Sequence, residues 1–100
     1  MAEYLKVQNY EVFEEMLKKK DLRISQAIVK VALENLNNKK RFIHVLEVEL
    51  VDEAQSYDIT LDRNNLLETL KQNLEIHELH EDYIGCIEIN QAIKQLEILA

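Results

Sequence analysis

One hundred residues are enough for one hydrophobic core and too few for two. Apolar residues make up 47% and charged residues 31%, a balance that excludes both a disordered chain and a membrane-spanning one. Nineteen Asp/Glu against twelve Lys/Arg leave a net charge of −7, which repels a phosphate backbone and disfavours direct nucleic-acid binding.

With no Pro and a single Gly, nothing punctuates the chain strongly, and long helices are expected. The first is predicted over about 4–19. Leu5, Val12, Phe13, Met16 and Leu17 share one face there, and Glu11, Glu14, Glu15 and Lys18 the other. Lys18, Lys19 and Lys20 suit its C-terminus, where cations meet the carbonyl end of the dipole; they also read as a small basic patch for a phosphate-bearing ligand. A second helix is predicted over about 25–37. Ser25 is its N-cap, Ile24, Ala27, Ile28, Val31, Ala32 and Leu36 form its stripe, and Asn37-Asn38 ends it.

The period then changes. Leu46, Val48 and Leu50 alternate with Glu47 and Glu49, and Tyr57, Ile59 and Leu61 alternate with Ser56, Asp58 and Thr60. A polar connection, Asp52 to Gln55, has hairpin length, so strands are predicted over about 42–51 and 56–61. A helical reading of Phe42, Val45, Leu46 and Leu50 competes with it. A lone hairpin is marginal in water, so it must pack on helices or pair with another chain. Asp62 caps a third helix over about 63–79, with Leu66, Leu67, Leu70, Leu74 and His77 on one face. Asp82 caps a fourth over about 82–99, in which Cys86, Ile89, Ile93, Leu96 and Ala100 recur at steps of 3, 4, 3 and 4. Two heptads suit an antiparallel helical hairpin. The expected fold is therefore α+β and mostly helical: four helices in one domain, with one β-hairpin between the second and third.

Residues 66–96 resemble the UVR motif, a helical hairpin of excision-repair endonuclease subunits and Clp-system proteins. The resemblance rests on Leu67, Leu70 and Leu74, then Asp82-Tyr83, the small Cys86, and Glu88, Ile89, Ile93 and Leu96. Ile87 stands where the motif has a second small residue, and Asn90-Gln91 replaces its frequent Arg-Asp pair. What the resemblance implies is a protein-docking element with no chemistry of its own. Residues 1–61 carry no such resemblance.

Signals for chemistry are sparse. His77-Glu78-Leu79-His80 is one residue short of the four-residue spacing that puts two imidazoles on one zinc, and it falls at a helix turn; its side chains read as solvated or capping. Cys86 reads as a small core residue. No glycine loop exists to hold a phosphate. No cofactor, metal or enzymatic activity is expected. A lone cysteine, an N-terminus without a secretory pattern and the absence of an apolar run of about 18 residues point to the cytoplasm and away from membranes. The excess of Lys over Arg, nine to three, has the look of an AT-rich bacterial or phage genome.

Charge is unevenly spread. Residues 1–41 hold nine bases and six acids, a net of +3; residues 42–100 hold three bases and thirteen acids, a net of −10. The leading expectation is a small acidic interaction module, whether adaptor, regulator or phage-type inhibitor. Its partner is a protein with a basic surface, met by the C-terminal hairpin through Glu75, Glu78, Glu81, Tyr83 and Glu88. The alternatives are a structural subunit of a larger assembly, or a homo-oligomer that binds a small anion between subunits. In the latter, Lys18, Lys19, Lys20, Arg23, Lys39, Lys40 and Arg41 would converge on the ligand.

Overall fold

The computed structural model describes residues 2–99. Four helices stand beside a three-stranded sheet: β1 (Glu3–Val7), α1 (Tyr10–Lys18), α2 (Leu22–Glu34), β2 (Phe42–Leu50), β3 (Gln55–Asp62), α3 (Leu66–Leu79) and α4 (Tyr83–Leu99), with one 3-10 turn at Arg63–Asn65. The α+β expectation holds, and the strands fall between the second and third helices as expected. The two-stranded hairpin, however, is corrected to three strands in the order β1-β2-β3.

The third strand comes from the segment expected to begin the first helix. Glu3 to Val7 pair in parallel with Leu46 to Leu50, and the pairing carries on beyond the strand through Val51 N–H to Val7 O at 3.0 Å and Asp52 N–H to Gln8 O at 2.8 Å. Leu5 alone fits the helical stripe; Val7, two residues on, would fall on the opposite side of a helix but shares one face of a strand with Leu5, and the open edge of β2 takes that strand. Asn9 then starts α1: its backbone is extended and its side chain accepts the Val12 N–H at 3.0 Å, while the Glu53 carboxylate accepts the Tyr10 N–H at 2.8 Å.

β2 is the central strand and runs antiparallel to β3, from Phe42 opposite Asp62 to Leu50 opposite Gln55. Between His44 and Leu46 the register slips, leaving Val45 without a cross-strand partner. This bulge lets Val45 and Leu46, adjacent in sequence, both be buried. Ile43, Val45, Leu46, Val48 and Leu50 thus form the floor of the core. The opposite face of the sheet is open and polar: Lys6 pairs with Glu49 at 3.8 Å, His44 with Asp58 at 3.2 Å, and the Tyr4 hydroxyl donates to Glu49. Tyr57, expected on the buried face, is half exposed beside the edge of Tyr10, with ring centroids 6.2 Å apart.

α2 lies on the apolar face, against β1 and β2, and its other side meets α3 and α4. Its cap is Asp21, whose carboxylate accepts the Arg23 N–H at 2.9 Å; Ser25, expected there, is instead buried one turn in and donates to Asn73 Oδ1 of α3 at 2.6 Å. Asp62 caps the 3-10 turn ahead of α3 rather than the helix itself.

α3 and α4 pack as an antiparallel hairpin. The turn closes as a Schellman motif, with Asp82 N–H to His77 O at 2.9 Å and Glu81 in the left-handed region at φ 57°. α1 ends the same way at Lys20, φ 54°. Glycine would suit both positions, yet the chain's only glycine sits elsewhere. Of the expected seam on α4, Ile89 and Ile93 are buried, Cys86 and Leu96 half-buried, and Ala92 is buried with them; Ala100 lies outside the described residues. No helix among the described residues is long and apolar enough to cross a membrane.

Leu50, fully buried and paired with Val7, is where floor and β1 meet. Leu50→Ala should lose about 2–5 kcal/mol of unfolding free energy in urea denaturation; a loss under about 1 kcal/mol would contradict its place in the core.

Candidate functional site: the outer face of the C-terminal hairpin

Between α3 and α4 the turn is organised by one carboxylate. Asp82 Oδ1 accepts the Gly85 N–H at 3.2 Å, which caps α4, and Oδ2 takes the His77 ring Nδ1 at 2.9 Å. Gln26 of α2 reaches the same Oδ2 at 3.4 Å, so the turn is tied to a third helix. The Gly85 hydrogen bond, followed by those from Gln26 and His77, holds the Asp82 carboxyl below the usual range despite partial burial. The other ring nitrogen of His77, Nε2, is buried without any hydrogen-bond partner among the described residues. A Cβ on Gly85 would overlap both the Asp82 carboxylate and the His77 ring, which explains why the one glycine stands here.

With its inner side packed, α4 turns an apolar stripe outward. Tyr83, Ile84, Ile87 and Ile98 are 67%, 74%, 58% and 82% exposed, and Leu79 at the end of α3 is 63% exposed. At 100° per residue, Ile84, Ile87 and Ile98 fall within about 60° of one another, opposite Ile89, Ala92 and Ile93; Ile98 stands about 16 Å beyond Ile87, with exposed Gln91 and Lys94 between them on the same face. Sequence reasoning counted Tyr83 as a contact residue but missed the isoleucines, because the inward heptad seam absorbed the helix's periodicity. The signal was present: α4 is apolar on both sides, which a helix with one packed face does not require.

The acids expected at the site lie on both helices of the hairpin and its turn, Glu75 and Glu78 on α3, Glu81 between the helices and Glu88 on α4. Glu75, Glu78, Glu81 and Glu88 are all exposed, and none forms an ion pair among the described residues. Beside them, α2 and the first turns of α4 enclose a cleft of about 610 Å³, with Val29, Leu33 and Ile84 as apolar walls, Glu34 and Glu88 among its polar lining, and His77 and Asp82 also facing it. Cys86 is half-buried; burial, then the charges of Glu78 and Asp82, push its thiol up, away from the thiolate a nucleophile requires.

The basic residues expected to converge on an anion fall into two groups at opposite ends of α2, a 13-residue helix spanning about 20 Å. Lys18 pairs with Glu14 at 3.4 Å, Lys19 with Glu15 at 3.2 Å and Arg23 with Asp21 at 3.1 Å. Lys39, Lys40 and Arg41 sit in the connection before β2, with Arg41 3.8 Å from Asp62. Arg63, which carried no sequence signal, orders that connection through the carbonyl of Asn35 and the side chain of Asn38, both at 2.7 Å. His80 bonds the Lys20 carbonyl at 2.8 Å while His77 bonds Asp82, so the two histidines serve different partners. No group of three or more His, Cys, Asp or Glu among the described residues is placed to hold a metal.

Two outcomes are expected of the turn. Gly85→Ala should cost about 1–3 kcal/mol of stability, because the new methyl has no room; an unchanged urea midpoint would mean the His77–Asp82 pair yields freely. The folded-state value of Asp82 is depressed, so its contribution is present above the unfolded Asp value of about 3.9 and is lost as pH falls through the folded one. The stability gap between wild type and Asp82→Asn should therefore be widest above about pH 5 and narrow steadily below about pH 4. A gap constant with pH would remove Asp82 as the cap.

Comparison with family models, curated proteins and solved structures finds no match for this chain, so its functional reading rests on its own geometry.

Proposed function

We propose that this protein is a small acidic interaction module whose C-terminal hairpin, α3–α4, docks a protein partner. The observation that carries the reading is the apolar stripe on α4, where three isoleucines and a tyrosine stand in water on a helix whose other face is already packed. Burying an isoleucine is worth about 1.5–3 kcal/mol, so leaving three exposed on one face forgoes several kcal/mol that a partner would recover. The partner's chemistry follows from the surroundings: an apolar helix or loop face edged by Lys or Arg, complementary to Glu75, Glu78, Glu81 and Glu88. The resemblance of residues 66–96 to the UVR hairpin favours the same role. Such a module supplies binding and no chemistry, as an adaptor, regulator or inhibitor of a larger machine would.

The test compares wild type with Ile87→Asp/Ile98→Asp. Both positions are exposed, so the stability of the variant should stay within about 0.5 kcal/mol of wild type. In nuclease-treated pull-downs from native extract, wild type should retain one stoichiometric protein that the variant loses. Charge reversal at Glu78 and Glu81 should slow association with that protein steeply at low salt and little at high salt. Wild type returning alone, with light scattering reporting a defined oligomer, would overturn the reading in favour of self-assembly.

A further inference from the structure

The cleft beside the stripe has a composition of its own. Its walls are aliphatic, from Val29 and Leu33 of α2 and Ile84 of α4, while Glu34 and Glu88 add carboxylates from two different helices. Neither glutamate pairs with a cation among the described residues. The cleft's one basic side chain, Lys30, already lies 3.4 Å from Glu3. Asp82, also in the lining, adds a third carboxylate, and the buried Nε2 of His77 has no hydrogen-bond partner among the described residues. The lining thus sets three carboxylates against one lysine that is already paired, and the charge the cleft calls for is positive. The N-terminus of α4 would by itself favour an anion, but Asp82 already occupies the Gly85 N–H there.

We propose that the cleft between α2 and α4 is a socket for an arginine side chain of the partner, its stem lying on Val29, Leu33 and Ile84 and its guanidinium held by Glu34 and Glu88. Ile84 belongs to both the cleft wall and the exposed stripe, so one partner segment spans both. Arginine suits the socket better than lysine. Its guanidinium is less strongly hydrated, lies flat on apolar surface and offers five donors to carboxylates that approach from two sides. This inference rests on the docking role of α4 and adds the residue that anchors the partner.

The experiment is a selection of 12-residue peptides displayed on phage against the intact protein, followed by titration calorimetry and 15N NMR with the synthesised winners. Glu34→Gln/Glu88→Gln is the variant; both residues are exposed, so its amide spectrum should remain that of the folded protein. The expected winners carry an arginine beside apolar residues and shift the Val29, Ile84 and Gly85 amides. They should bind the variant about ten- to a hundredfold more weakly, the loss of one or two charge-assisted hydrogen bonds. Replacing the peptide arginine with citrulline should cost a similar factor on wild type and little further on the variant. Winners without a cation, or with affinity unchanged by Glu34→Gln/Glu88→Gln, would overturn the socket. If Ile87→Asp/Ile98→Asp still abolishes such winners, the docking role of α4 survives that result. Winners insensitive to both variants, or no winners at all, would overturn both. A concentration-dependent mass that Glu34→Gln/Glu88→Gln abolishes would assign the cleft to a second copy of this chain and overturn the partner assignment.

Discussion

β2 is the constraint on which the molecule depends. Both of its backbone edges are hydrogen-bonded, in parallel to β1 and antiparallel to β3, and its inner face is apolar from Ile43 to Leu50. A strand with neither edge free and one face dry admits few alternative registers, because a slip of one residue would bring Glu47 and Glu49 into the core. α2 then covers that floor. Having sheet on one side and helices on the other, it must be apolar over most of its circumference, and Ile24, Val29, Val31 and Ala32 are buried on it. Placing Ser25 on such a helix leaves it only a polar neighbour to satisfy, and Asn73 supplies one.

Asp82 is the second fixed point, and it links fold to surface. One carboxylate caps α4, binds His77 and meets Gln26, so the angle between α3 and α4 and their approach to α2 are set together. Gly85 and Ala92 then leave little side-chain volume on the inner side of α4, where Ile89 and Ile93 supply the packing. With Ile89, Ala92 and Ile93 filling the inner side, Ile84, Ile87 and Ile98 of the same helix are left facing water. The docking role proposed for this face would carry a low ordering cost, since its residues already stand on a formed helix.

The charges follow the same division. In the N-terminal half several cations are neutralised within a turn, by Glu14, Glu15 and Asp21. On the hairpin Glu97 meets Lys71 at 4.0 Å, while Glu75, Glu78, Glu81 and Glu88 have no ion-pair partner among the described residues.

Much of the architecture was legible in the chain itself. α3 and α4 follow from leucines and isoleucines at steps of three and four, β2 and β3 from strict alternation with Glu, Asp and Thr, and the cap of α4 from Asp82. The acidic hairpin followed from counting charges. What resisted reading were the places where a local signal is short or where a long-range partner decides. Residues 4–7 offer only two inward residues of strand period, Leu5 and Val7, and the parallel edge of β2, some forty residues away, claims them. Ser25 looks like a cap in one dimension and is a buried hydrogen-bond donor in three. The outer isoleucines of α4 became a surface only when Ile89, Ala92 and Ile93 took the inside, and the cleft exists only where α2 and α4, some fifty residues apart in the chain, come side by side. Sequence by itself determined which segments are apolar and with what period, because periodicity is a local property. Tertiary structure alone decided which apolar face is buried and which stays in water, because that depends on the number of neighbours a helix finds.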